Sequence, residues 1–211
     1  MTPSSTSKVT YDYNVDDYTF SSTGYMTTDF TPDFSKDFII DATINIPSLG
    51  KRYLIAGNYN QSNNLSIELN TNNALRVYIS GSERAVSTGT VVANKDIRFT
   101  FVWDASSKSF LFTAKGNGVN ASTSGTVNIS AVSGGPLRLG QDYRGGSTFG
   151  IYTLKSLKIT QTYDYGSVIS NVPTNVTRSG YTFGGWYTDK NGGTQIPSVL
   201  MATDDTTYYA H

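Results

Sequence analysis

Cysteine is absent from the 211 residues, and the single histidine is the last residue, His211. The first absence removes thiol nucleophiles, disulfides and thiolate metal sites. The second removes histidine triads, HExxH zinc sites and histidine general bases. Glutamate occurs only as Glu68 and Glu83, so an enzyme here would work with Asp, Tyr, Lys or Ser. Sixteen basic and 16 acidic side chains cancel to a formal net charge of zero. That excludes the basic footprint with which proteins displace counterions from nucleic-acid phosphates. No apolar run approaches the ~20 residues of a membrane-spanning helix. Nor does an apolar leader follow Met1. The stretch Thr2-Pro3-Ser4-Ser5-Thr6-Ser7 is polar, residues 1–10 are expected to be a linker, and the native N-terminus is expected upstream.

Ser, Thr, Asn and Gly supply the polarity that charge does not, since charged residues make up only 15% of the chain against about a quarter in ordinary domains. Aromatics reach 13%, with 15 Tyr and 10 Phe, which argues against disorder. The dominant hydrophobic period is two, the signature of a strand with one buried face. In Phe38-Ile39-Ile40-Asp41-Ala42-Thr43-Ile44-Asn45-Ile46 the even positions form the apolar face. Leu65–Leu69 and Leu75–Ile79 alternate in the same way around the turn cluster Asn70-Thr71-Asn72-Asn73, and are expected to pair as a hairpin. Ile97–Trp103 puts Ile, Phe, Phe and Trp on one face, turns at Asp104–Lys108, and returns as Phe110–Ala114. Leu137-Arg138-Leu139 precedes a Gly-rich loop from Gly140 to Gly150, and Leu157-Lys158-Ile159 closes the pattern, with a bulge expected near Ser156. No amphipathic helix is found. Short strands between frequent turns predict an all-β sandwich, large enough to bury a core without disulfides or metals.

Near Tyr163 the composition shifts to a shorter, turn-rich stretch. The expected organisation is a linker over 1–10, a sandwich over 11–162 and a small module over 163–211. With no Gly/Ser or Pro-rich tether between the last two, they are expected to pack directly, with Tyr163 and Tyr165 near the contact.

Four stretches carry a resemblance to the concanavalin A-like, laminin-G-like jelly-roll modules of bacterial surface proteins. They are Tyr18–Thr28, Asp37–Ala42, Arg98–Asp104, and Leu137–Gly140 with Ile151–Ile159. The chain departs from that family in lacking a Trp in the Phe38 strand and a His in the Phe99 strand. The tail resembles the Listeria–Bacteroides repeat, the internalin B-repeat module. The match rests on Tyr165-Gly166, the string Val176–Asp189, Gly192-Gly193-Thr194 and Thr206–His211. It implies a small β-grasp-like fold, tandem copies and a secreted or cell-surface location. The opening strand of that repeat is not visible, so either the repeat is partial or the end of the sandwich supplies its first strand.

Candidate ligand-binding residues fall in two loops. Asn58, Tyr59 and Asn60 begin an Asn-rich loop whose amides suit sugar hydroxyls. Asp142, Tyr143 and Arg144 open a Gly-rich loop offering a carboxylate, an aromatic plane and a guanidinium. Tight turns explain the same residues equally well. Asp16, Asp17 or Asp104 with nearby carbonyls are candidates for a structural Ca²⁺, and no other cofactor is expected. Trp186 reads as the core of the small module rather than as a sugar platform. No GxGxxG or P-loop is present. No Glu-x-Asp-x-x-Glu strand of the related glucanases occurs, and no carboxyl pair spaced for glycoside hydrolysis can be assembled. The expected function is therefore non-catalytic: a monomeric surface module binding a carbohydrate or a surface-protein ligand, without nucleic-acid or direct membrane contact. The alternative is a structural spacer with no ligand of its own.

Overall fold

The computed structural model describes residues 6–21, 24–59, 61–87, 89–116, 118–141, 143 and 151–211. Among these the regular elements are strands and no helix occurs. In chain order they are β1 (Thr6–Asp12), β2 (Tyr18–Thr19), β3 (Met26–Thr27), β4 (Phe38–Asn45), β5 (Tyr53–Gly57), β6 (Leu65–Leu69), β7 (Leu75–Ile79), β8 (Ser82–Val86), β9 (Asp96–Asp104) and β10 (Ser109–Gly116). There follow β11 (Val119–Thr126), β12 (Arg138–Leu139), β13 (Thr153–Asp164), β14 (Val168–Ile169), β15 (Thr177–Arg178), β16 (Trp186–Asp189), β17 (Gly192–Gln195), β18 (Leu200–Met201) and β19 (Thr206–Ala210).

Two sheets form a sandwich. The 10-stranded sheet runs β11-β10-β9-β4-β13-β1-β19-β16-β17, with β2 also on β13; the 7-stranded sheet runs β15-β3-β12-β5-β6-β7-β8. Strand alternation builds the core between them. Phe38, Ile40, Ala42 and Ile44 of β4 are buried, and lie directly opposite Trp103, Phe101, Phe99 and Ile97 of β9. From the other sheet come Leu65, Ile67 and Leu69, with Leu75, Val77 and Ile79. Each such side chain contributes about 1.5–3 kcal/mol on burial. Trp103 is also fixed by donating from Nε1 to the Phe34 carbonyl at 3.0 Å. The β6–β7 hairpin forms as expected, and its turn is organised by Asn70, whose Oδ1 accepts from Asn72 and Ala74 N–H. The bulge near Ser156 is present as a register shift between Leu154 and Ser156 where β13 meets β4.

Two expectations are corrected. Residues 6–10 are not a linker: they are the front of β1, which pairs with β13 from Thr6↔Asp164 to Asp12↔Lys158. Val9, Tyr11 and Tyr13 supply too short an apolar alternation to stand out, and the buried Ser7 hides its start. Residues 163–211 pack directly on the sandwich as expected, but apart from the 2-stranded β14–β18 sheet their strands join the sandwich's own sheets. β19 joins β1 in parallel and carries β16 and β17 into the 10-stranded sheet, while β15 extends the other sheet beside β3. The reason is a shortage of apolar material. Among the described residues of this stretch only Ile169, Val172, Trp186 and Ala202 are buried hydrophobics. Trp186 completes its burial against Tyr11 and Tyr13, at ring-centroid distances of 4.9 and 5.1 Å, and donates from Nε1 to the Pro173 carbonyl. Tyr163 lies at the contact as expected, its hydroxyl 3.4 Å from Asn171 Oδ1, while Trp186 is the largest side chain buried across it and Tyr165 is half exposed.

Candidate functional site

The outer face of the 7-stranded sheet carries two clusters of polar and aromatic side chains. β12 is two residues long, and its alternation decides their fates: Leu139 enters the core and Arg138 points outward. Arg138 lies opposite Thr27 on one side and Gly57 on the other. Gly57 lets its neighbours pack closely here. A Cβ there would lie 2.6 Å from Ser66 Oγ and 3.0 Å from Leu54 Cδ1. Just beyond β12, Gly140 adopts φ +84°, a conformation suited to glycine, and so turns the chain toward Tyr143.

The Arg138 guanidinium carbon sits 3.8 Å from the Tyr143 ring centroid and 4.8 Å from that of Tyr25. Such cation–π contacts contribute about 0.5–2 kcal/mol each. Tyr143 donates its hydroxyl to the Pro136 carbonyl at 3.2 Å. Burial raises the Tyr143 hydroxyl above its ordinary pKa, and the neighbouring Arg138 charge works against that shift. Arg138 Nε is buried without a hydrogen-bond partner, and no carboxylate among the described residues pairs with the guanidinium. Tyr25 is 40% exposed, which leaves one wall of the cluster open to solvent.

The second cluster lies on β6, β7 and β8. Glu68 is fully buried. Its carboxylate accepts from Arg52 Nε at 2.8 Å, from Arg52 Nη2 at 3.0 Å and from Arg76 Nη2 at 3.2 Å. Arg76 reaches Glu83 with its other nitrogen at 3.4 Å and lies 5.0 Å over the Tyr78 ring. Tyr59 packs edge-on to Tyr78, with centroids 6.2 Å apart. Thr177, Thr27, Arg138, Gly57, Ser66, Tyr78 and Glu83 form one register row across the sheet, so both clusters lie on the same face, with Gly57 and Ser66 buried between them. Arg138 and Tyr78 are three strands apart, roughly 14 Å at the usual spacing.

The six residues singled out in the sequence fare differently. Tyr143 is part of the Arg138 cluster, and Tyr59 is on the rim of the Tyr78 cluster. Asn58 is fully buried and its amide is spent. Nδ2 donates to Ser133 Oγ at 2.5 Å and to the Gly135 carbonyl at 2.6 Å, while Oδ1 accepts from Leu65 N–H at 2.8 Å. It ties two loops together and has no group left for a ligand. Asn60, Asp142 and Arg144 lie outside the described residues. Sequence reasoning passed over Tyr25, Arg76, Tyr78 and Arg138. Their signal was a polar or aromatic residue held at the solvent position of an alternating strand, as in Leu137-Arg138-Leu139.

The Ca²⁺ candidates are already engaged. Asp104 Oδ1 accepts from the Ser106 hydroxyl at 2.7 Å, from Ser106 N–H at 2.9 Å and from Ser107 N–H at 3.1 Å. The Ser106 hydroxyl foremost lowers its pKa to about 2. Asp17 pairs with Lys155 at 2.8 Å and Asp16 with Lys190 at 3.8 Å. Among the described residues no three His, Cys, Asp or Glu side chains converge as a metal site. No described helix is long and apolar enough to cross a membrane.

Residues 144–211 match the family model of the Listeria-Bacteroides repeat domain. The matched stretch begins ahead of β13 and takes in that whole strand, so the last long strand of the sandwich falls within the repeat. No curated protein matches the chain in sequence. Among solved structures, the CBM40 of the Ruminococcus gnavus IT-sialidase bound to alpha2,3 sialyllactose aligns at 12% identity and TM-score 0.47, covering 70% of this chain and 89% of that one. A native heptameric SAP-like pentraxin from Limulus polyphemus aligns at 14% identity and TM-score 0.48, covering 68% and 72%. A Trypanosoma rangeli sialidase aligns at 14% identity and TM-score 0.46, covering 59% of this chain but 20% of its own.

Proposed function

We propose that this chain is a non-catalytic carbohydrate-binding module of a bacterial surface protein, with the glycan laid across the outer face of the 7-stranded sheet and anchored at Arg138. The observation that carries this reading is Arg138 itself. It is a guanidinium set against two tyrosine rings, with no carboxylate partner among the described residues. An arginine so placed offers its fork of donors to ligand oxygens. The flanking Tyr25 and Tyr143 rings offer apolar planes to the C–H faces of sugar rings. The non-catalytic part is supported by Glu68, whose carboxylate is occupied by two arginines, and by Glu83, which shares one of them. Two carboxyls bridged by a guanidinium do not flank an open space for a glycosidic bond. The surface setting is supported by the repeat match, since such repeats occur in bacterial surface proteins.

The test is a glycan array probed with the whole chain, with and without a calcium chelator. Expected is a hit that persists in chelator, falls at least about tenfold (1.4 kcal/mol) in Arg138→Ala and in Tyr143→Ala, and is unchanged in the remote Tyr165→Ala. A blank array for the unmodified chain, or a hit indifferent to Arg138, would sink the reading and turn attention to a protein ligand.

A further inference from the structure

β1 and β19 lie side by side and run in the same direction, with Val9 opposite Thr206, Thr10 opposite Thr207, Tyr11 opposite Tyr208 and Asp12 opposite Tyr209. The first and last described strands are therefore nearest neighbours and parallel. A pull on the front of β1 and on the back of β19 acts along both strands in opposite senses. Every bond of the ladder is then strained together, and a parallel ladder spaces its bonds evenly. Pulling the same two strands from one shared end would open those bonds one at a time.

We propose that this chain bears tension along the line joining its two ends, with the β1–β19 pair as the mechanical clamp. This function is independent of any ligand on the 7-stranded sheet. Both strands are anchored against sliding. β1 is held along its other edge by β13 over the whole of Thr6–Asp12. The back of β19 is tied to the start of β16, where Gly184 N–H donates to the His211 carbonyl at 2.7 Å and His211 N–H donates to the Gly185 carbonyl at 3.0 Å. Two further bonds cross the clamp: Lys8 N–H donates to Asp205 Oδ1 at 2.7 Å, and Asn14 Nδ2 to the Ala210 carbonyl at 3.3 Å. Behind the ladder Tyr11 packs on Trp186 and lies 6.3 Å from Tyr208, so sliding one strand past the other also disrupts an aromatic cluster. Resistance to force depends on the unfolding barrier rather than on equilibrium stability. Straining all these contacts at once is what raises that barrier.

The chain has no cysteine, so introduced thiols give unique handles for single-molecule pulling. One preparation carries an added cysteine at each end. The other carries the N-terminal cysteine with Asp204→Cys, at an exposed position just ahead of β19. Thermal melting of both preparations verifies that D204C leaves the fold intact. The expected result is a single rupture with the end handles, at a force severalfold above that with the D204C handle. Equal forces in the two geometries would overturn the proposal. So would an early low-force event in which residues 163–211 peel away while the sandwich stays closed.

Discussion

Tyr11 and Trp186 pack in a tilted contact at a centroid distance of 4.9 Å and an interplanar angle of 56°, bringing the first strand and the repeat-like tail into one core. Trp186 is 2% exposed and Tyr11 is 1% exposed, so neither region completes its burial without the other. A large buried aromatic exchanged for alanine costs about 3–5 kcal/mol, a sizeable share of the 5–15 kcal/mol that holds a typical domain. Trp186→Ala is expected to lower Tm sharply, and Trp186→Phe by a smaller amount. Because the contact is shared, scanning calorimetry of the whole chain should show one cooperative transition. Two resolved transitions, with the second unmoved by Trp186→Ala, would show that the regions fold separately.

Glu68 is the anion between Arg52 and Arg76. Removing one partner of a fully buried pair costs about 3–5 kcal/mol. Arg52 is 37% exposed at its side chain, so water screens part of that penalty. Glu68→Gln is expected to cost about 2–3 kcal/mol after that discount. Glu83→Gln at the more exposed end of the cluster should cost under about 1 kcal/mol. Urea unfolding of the two variants provides the comparison. Equal small losses would mean that solvent reaches Glu68 more freely than its burial implies.

Buried tyrosines set the alkaline limit. Burial raises the hydroxyl pKa of Tyr11, Tyr13 and Tyr152, and raises that of Tyr163 from 10.0 to about 12. Tyr13 donates to the Thr28 carbonyl and Tyr152 to the Ile55 carbonyl. A hydroxyl whose folded pKa is raised stays protonated in the folded chain while the unfolded chain begins to ionise. Its contribution is therefore fully present below pH 10 and is lost as pH climbs toward the folded value. The tyrosinate absorbance of these four should appear only as near-ultraviolet circular dichroism is lost. A single reversible step for all 15 tyrosines with structure intact would contradict the assignment.

Much of the sandwich was legible because strand alternation writes burial directly into the sequence. The even positions of Phe38–Ile44 and the odd positions of Ile97–Trp103 are the buried ones, and the bulge by Ser156 falls where the alternation of β13 breaks step. The site was legible only in part. Tyr143 was found because aromatic, charged and glycine residues stood together in one loop. Asn58 drew attention for its amide, yet that amide is consumed by Ser133 and Gly135, remote in sequence. Arg138 looked like an ordinary outward residue of a short strand. Its character comes from Tyr25 and Tyr143, which strand pairing and the Gly140 turn bring to it.

By itself the sequence determined the all-β class, the buried face of each long strand, the turns and the exclusion of thiol and histidine chemistry. Each of these is set by residue type or by spacing within a few positions. Only the tertiary structure decided that residues 6–10 belong to a central strand rather than a linker, that the tail extends both sheets, and that Arg138 packs against two tyrosines. These depend on which surfaces remain unburied once the local elements exist. A tail with so few apolar side chains of its own buries its tryptophan by joining the sheets beside it.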